Sequence, residues 1–188
     1  FQLCIFCGLR RGETVALLWS DVNMSDKTVS VTKSTAIVAG KPLTKAPKNK
    51  TSERVISIPD HIIKLLKRYR LEYNTYRLSI GSQWMERSDK EEYIFIQWNG
   101  AQMYPSTPYN VFKDVLHRYN HTHSEPLPDI PLHGLRHTSA TLLISQNVDV
   151  RTVSNRLGHA QTSTTMNIYS HSLQSKDESA AGALEDLL

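Results

Sequence analysis

A change of pattern near Pro59 constrains this chain more than any other feature. Before it, residues 28–38 and 54–58 are rich in β-branched side chains, which fit a pleated surface better than a helix. After it, Ile62, Leu65, Leu66, Tyr69 and Tyr73 recur at helical spacing with Lys and Arg between them, as in a helix that buries one face. Helical patterns then dominate. One covers 107–121, with Pro108 tolerated in the first turn; three more follow over 133–146, 149–157 and 163–170. Asp149 and Ser163 are expected as N-caps and Gly158 as a C-terminal stop. Short helices are expected over 1–7, 12–18 and 180–188, and a strand running into a turn over 93–100. Residues 39–53, with Gly and two Pro, form a long basic hairpin or connector between the strands. The fold class that follows is α+β, mostly helical with a small antiparallel sheet near the N-terminal side.

At 188 residues the chain suits one domain with a single core. No apolar run approaches the roughly 20 residues of a membrane span, and nothing reads as a signal peptide. Twenty-two Lys and Arg against eighteen Asp and Glu leave a formal charge of +4, and the acidic C-terminal stretch makes the remainder more basic still. That balance mildly favours an anionic partner. Cys4 and Cys7 form a CxxC, but in an apolar helical stretch with no second pair. They are expected as small reduced core residues, which fits a cytoplasmic protein. The chain opens inside a helical pattern at Phe1, so a preceding domain is expected to be missing.

Four stretches carry possible chemistry. In "GLRRGE", Glu13 lies three residues past Arg10 and can pair with its guanidinium. In "KAPKNKTSERVISIP", Lys45, Lys48, Lys50 and Arg54 fall within ten residues, as expected of a basic hairpin reaching toward a phosphate or a DNA groove. In "PLHGLRHTSATLL", His133 and Arg136 are one helical turn apart and share a face, with Arg10 and Arg136 expected near the surface of a cleft. In "LGHAQTSTTMNIYSH", Tyr169 stands ten residues after His159 in a polar stretch. Each alone fits an ordinary surface ion pair, a solvated loop or a half-buried tyrosine. His133 and His137 also form an HxxxH pair, but without the glutamate of a metalloprotease motif and with no third ligand at a familiar spacing.

Taken in order along one chain, these stretches resemble the tyrosine recombinase (phage integrase) family, and most closely integrases of phages and conjugative transposons. The likeness covers essentially the whole chain, 1–188, as that family's C-terminal catalytic domain. The resemblance implies a catalytic set of Arg10, Lys48, His133, Arg136, His159 and Tyr169, with Glu13 in support and Lys45, Lys50 and Arg54 on DNA. It implies cleavage and rejoining of double-stranded DNA through a 3′-phosphotyrosine, with no metal and no other cofactor. It also implies an amino-terminal core-binding domain outside this chain and a tetramer on two DNA sites, although a fragment without that domain need not assemble. On the same fold stand three alternatives, a DNA-binding protein that does not cut, a type IB topoisomerase-like strand transferase and an enzyme that forms hairpin telomeres. A metal-dependent hydrolase using His133, His137 and His159 is a more distant one.

Overall fold

The computed structural model describes residues 1–46, 52–159 and 161–169, with the backbone alone at 164 and 167–169. Helix α1 (Gln2–Phe6) and helix α2 (Arg11–Ala16) lead into a 3-10 turn at Trp19–Asp21. Strands β1 (Val22–Asn23), β2 (Thr28–Val31) and β5 (Arg54–Ser57) form an antiparallel sheet in the order β1-β2-β5. In its register Val29 faces Ile56, and both are almost fully buried.

The β-branched run over 28–38 is not one strand. It breaks after Val31, and residues 34–38 belong to a separate hairpin of β3 (Ser34–Val38) and β4 (Lys41–Lys45). The hairpin turns at Ala39 and Gly40, both at positive φ (49° and 76°), as the right-handed twist of a two-residue turn requires. Residues 41–45 of the expected hairpin or connector are therefore strand. Residues 93–100 depart from expectation the other way. Isolated bridges, Leu18 to Tyr93 and Ile96 to Gln102, replace a continuous strand. The segment is pinned by the Ile94 N–H to the Leu17 carbonyl at 2.9 Å and then folds back on itself, with the Gln97 N–H on the Ala101 carbonyl at 2.7 Å.

Helix α3 (Asp60–Ile80) lays Ile62, Ile63 and Leu66 against the sheet, where they join Leu9, Leu17, Val31, Ile56 and Ile94 in the main core. Helix α4 (Thr107–Thr122), with its proline in the first turn as expected, packs Phe112 and Leu116 on Cys4, Leu132 and Leu135. Both cysteines are buried free thiols, and burial pushes Cys7 up to about 11. A third cluster joins Ala140 and Ile144 of α5 (Gly134–Ser145) to Val153 and Leu157 of α6 (Val150–Leu157). Asp149 caps α6 as expected, accepting the Thr152 N–H at 2.9 Å. Helix α7 (Thr162–Tyr169) starts one residue before Ser163, which puts that serine inside the first turn instead of at the cap. The expected helix over 180–188 lies outside the described residues. Among the described residues no helix is long and apolar enough to cross a membrane.

Candidate active site

A helix ends with carbonyls that have no partner in the next turn and with the negative end of its dipole. At the C-terminus of α6 three successive carbonyls are each taken by a different arginine from elsewhere in the chain. Arg54 donates from Nε to the Arg156 carbonyl at 2.8 Å, Arg136 from Nη2 to Leu157, and Arg10 from Nη2 to Gly158 at 3.0 Å. Gly158 makes this end possible. It sits in the left-handed region (φ 66°, ψ 47°), and a Cβ there would lie 3.0 Å from Arg54 Nη1. Arg136 also donates from Nη1 to the carbonyl of Gly8, itself at φ 61° with Leu157 packed where a Cβ would stand. So the N-cap of α2, strand β5 and helix α5 converge on one helix end, and His159 is the next residue along.

Glu13 organises two of these arginines. Its Oε2 accepts the backbone N–H of Arg10 at 2.9 Å, completing one half of a capping box at the start of α2. Its Oε1 takes Arg10 Nη1 at 2.7 Å, and its two oxygens take Arg54 Nη2 and Nη1 at 2.8 and 3.2 Å. Burial would raise the pKa of this carboxyl. The bonds and charge of Arg54, with the bonds from Arg10, more than offset that and hold it below the usual range. Glu13 thus stays anionic and fixes both guanidinium planes.

His159 follows the αL glycine and places Nδ1 2.8 Å from the hydroxyl of Thr165, a fully buried residue on α7. Burial, and then the charges of Arg136 and Arg10, push its pKa down to about 4, so the ring is neutral near pH 7. His133 stands at the N-cap of α5, its ring meeting that of His137 edge-on at 4.8 Å. Desolvation, followed by the charges of His137, Arg136 and Arg10, lowers its pKa as well. His133 and Arg10 line a cleft of about 730 Å³ together with Ser34, Pro105 and Tyr109. Arg10 and Arg11 therefore bring positive charge to that cleft beside the His133 ring, and Arg136 and the turn before His159 are joined to Arg10 through the end of α6, a setting suited to an anion.

The structure brings several of the expected site residues together and places two of them differently from expectation. Arg10, Glu13, Arg136 and His159 come together through the end of α6, and His133 shares the cleft with Arg10. Arg136, expected near the surface, is 2% exposed. Its burial and the Arg10 charge lower its pKa to about 9, which still leaves it cationic near neutrality. Arg54, expected on DNA, turns inward, with its side chain 6% exposed and four of its five N–H groups spent on Glu13, Ser52 and Arg156. The β-strand period explains it: Ile56 faces the core, and Arg54, two residues earlier, points to the same side. Lys45 ends β4 in an exposed position. Lys48 and Lys50 lie outside the described residues, as does the side chain of Tyr169, whose backbone closes α7. Thr165 and the inward role of Arg54 were not foreseen; a threonine one helical turn before the tyrosine was the available signal. Among the described residues no three His, Cys, Asp or Glu side chains gather as a metal site.

Residues 1–176 match the model of the phage integrase family. A XerC-like tyrosine recombinase of Caldanaerobacter subterraneus subsp. tengcongensis is 32% identical, and the ICEBs1 integrase of Bacillus subtilis 33%. Each alignment takes in 100% of this chain but 48% of the relative, so the chain spans about half the length of these curated relatives. In fold it is similar to the Tn1549 transposon integrase solved with circular intermediate DNA, with a TM-score of 0.80, 22% identity, and coverage of 99% of this chain and 58% of that one. The XerA recombinase is a further structural neighbour, with a TM-score of 0.64 and 24% identity over 90% of this chain and 51% of that one. With a family match running from its first residue to residue 176, this chain belongs to the phage integrase family.

Proposed function

We propose that this chain is the catalytic domain of a site-specific recombinase of a mobile element, which cleaves and rejoins double-stranded DNA through a 3′-phosphotyrosine. In the full protein a separate core-binding domain completes the grip on DNA, and four protomers act on two sites in the cytoplasm. The observation that carries the reading is the convergence of Arg10, Arg136 and His159 on the end of α6, with His133 on the adjoining cleft. A phosphodiester needs such a field, because in-line attack adds charge to oxygens that are already anionic.

In this reading the Tyr169 oxygen bonds to phosphorus as the bond to the 5′ oxygen breaks. His133 accepts the phenolic proton, and Lys48 supplies a proton to the departing 5′ oxygen. Arg10 and Arg136 neutralise the non-bridging oxygens, and His159 donates to one of them. The ester retains the strand, so a 5′-hydroxyl reverses the step with no ATP and no metal. Lys45 and Lys50 bind backbone phosphate beside the cleft. A DNA-binding protein that does not cut would have no use for this set.

The test is a nicked suicide duplex carrying a candidate attachment site, incubated with the full-length protein. A protein–DNA adduct that survives denaturation, forms in EDTA and is absent from Tyr169→Phe supports the proposal. An adduct in Tyr169→Phe, or cleavage abolished by EDTA, overturns it.

A further inference from the structure

We infer that Arg54 is a positioning residue for strand cleavage: it joins the Arg10 motif, the approach to β5 at Ser52 and the His159 turn into one rigid unit. The inference rests on the proposed function above. Three independent contacts support it. Toward α2, its guanidinium takes both oxygens of Glu13, the carboxylate that also holds Arg10. Toward its own strand, Nη1 donates to the Ser52 carbonyl at 3.1 Å, fixing the point where the chain returns from the segment that contains Lys48. Toward α6, Nε holds the Arg156 carbonyl, and the side chain packs on Gly158, immediately before His159.

No other side chain in the described residues reaches all three segments. A buried cation with its donors committed this way has one N–H left, so it does not compete for DNA phosphate as a surface arginine would. Lysine could keep the charge but not the fork: one ammonium cannot satisfy Glu13, Ser52 and Arg156 in three directions at once. Freeing these joints would let Arg10, Ser52 and His159 drift independently, and misplacement of about 1 Å costs on the order of 100-fold in rate.

The experiment uses full-length Arg54→Lys and Arg54→Met on the suicide duplex. It compares the single-turnover cleavage rate constant at saturating DNA with DNA affinity and its salt dependence. Expected for both variants is a rate constant at least tenfold lower, with affinity and salt slope as in the unaltered protein. A role in stability alone would lower the fraction of protein that reacts and the melting temperature but leave the rate constant intact, which overturns the inference. Weakened affinity with a salt slope reduced by about one would instead make Arg54 a phosphate contact and also overturn it. Should Arg54→Met not fold, Arg54→Lys decides, and a rate constant within twofold of the unaltered protein defeats the inference. Failure of the parent reading looks different, since the unaltered protein itself would then form no adduct.

Discussion

His159 Nδ1 and the Thr165 hydroxyl are 2.8 Å apart, a bond that ties the turn after α6 to the helix that ends in Tyr169. Thr165 is four residues, about one helical turn, before Tyr169 on α7. With the hydroxyl donating to Nδ1, the ring proton sits on Nε2, where it can be offered to a phosphate oxygen. Thr165→Val keeps the shape and removes the bond. It should slow single-turnover cleavage about tenfold or more, while Thr165→Ser restores most of the rate. Equal rates for the valine variant and the unaltered protein would show that His159 is oriented without this bond.

Acid should destabilise the folded protein through His159. Its folded pKa of about 4 lies below the ordinary 6.5, so between these values the unfolded chain holds a proton that the folded one does not. Its contribution to stability is full above about pH 6.5 and is progressively lost toward pH 4. His133, lowered for similar reasons, acts in the same direction. Glu13, also held low, adds its own loss as pH falls below its ordinary 4.5. Melting temperatures measured from about pH 7 to pH 5 should fall, and His159→Gln should flatten that fall. A variant with an unchanged slope would remove His159 as its source.

The helices were legible because their periodicity, Pro108, the Asp149 cap and the Gly158 stop are local signals that act within one or two turns. The sheet was less so. Where the run over 28–38 breaks depends on β2 pairing with β5, some 26 residues away, and nothing near Thr32 announces it. The same distinction holds at the site. Arg10, Glu13, His133, Arg136 and His159 are singled out by residue types in order along the chain. The inward turn of Arg54 and the depth of Arg136 depend on partners contributed by α6, and no local pattern encodes them.

Arg136→Lys should damage both fold and chemistry. A lysine cannot span the Gly8 and Leu157 carbonyls as the guanidinium fork does, so at least one buried carbonyl loses its partner. The cost is about 1–3 kcal/mol, which lowers the melting temperature by several degrees in a domain of this size. Cleavage at saturating DNA should fall by orders of magnitude, because the Leu157 carbonyl next to the Gly158–His159 turn is no longer held and the buried positive charge is displaced from the proposed phosphate site. An unchanged melting temperature, read by calorimetry, would contradict the buried placement of this side chain.

Gly158→Ala tests the joint itself. The αL backbone costs a non-glycine residue about 1–2 kcal/mol. The new methyl group would also lie 3.0 Å from Arg54 Nη1 and 3.1 Å from its Cδ, closer than ordinary contact. Because Arg54 is held by Glu13 and by the Arg156 and Ser52 carbonyls, it cannot retreat without breaking one of those bonds. The strain should therefore pass to Arg10 through their shared carboxylate and to His159 through the chain. Expected are a melting temperature lower by several degrees and a cleavage rate constant at least tenfold lower, with DNA affinity little changed. Full cleavage activity in a measurably destabilised Gly158→Ala protein would mean that the end of α6 serves stability without setting the geometry of the cleft.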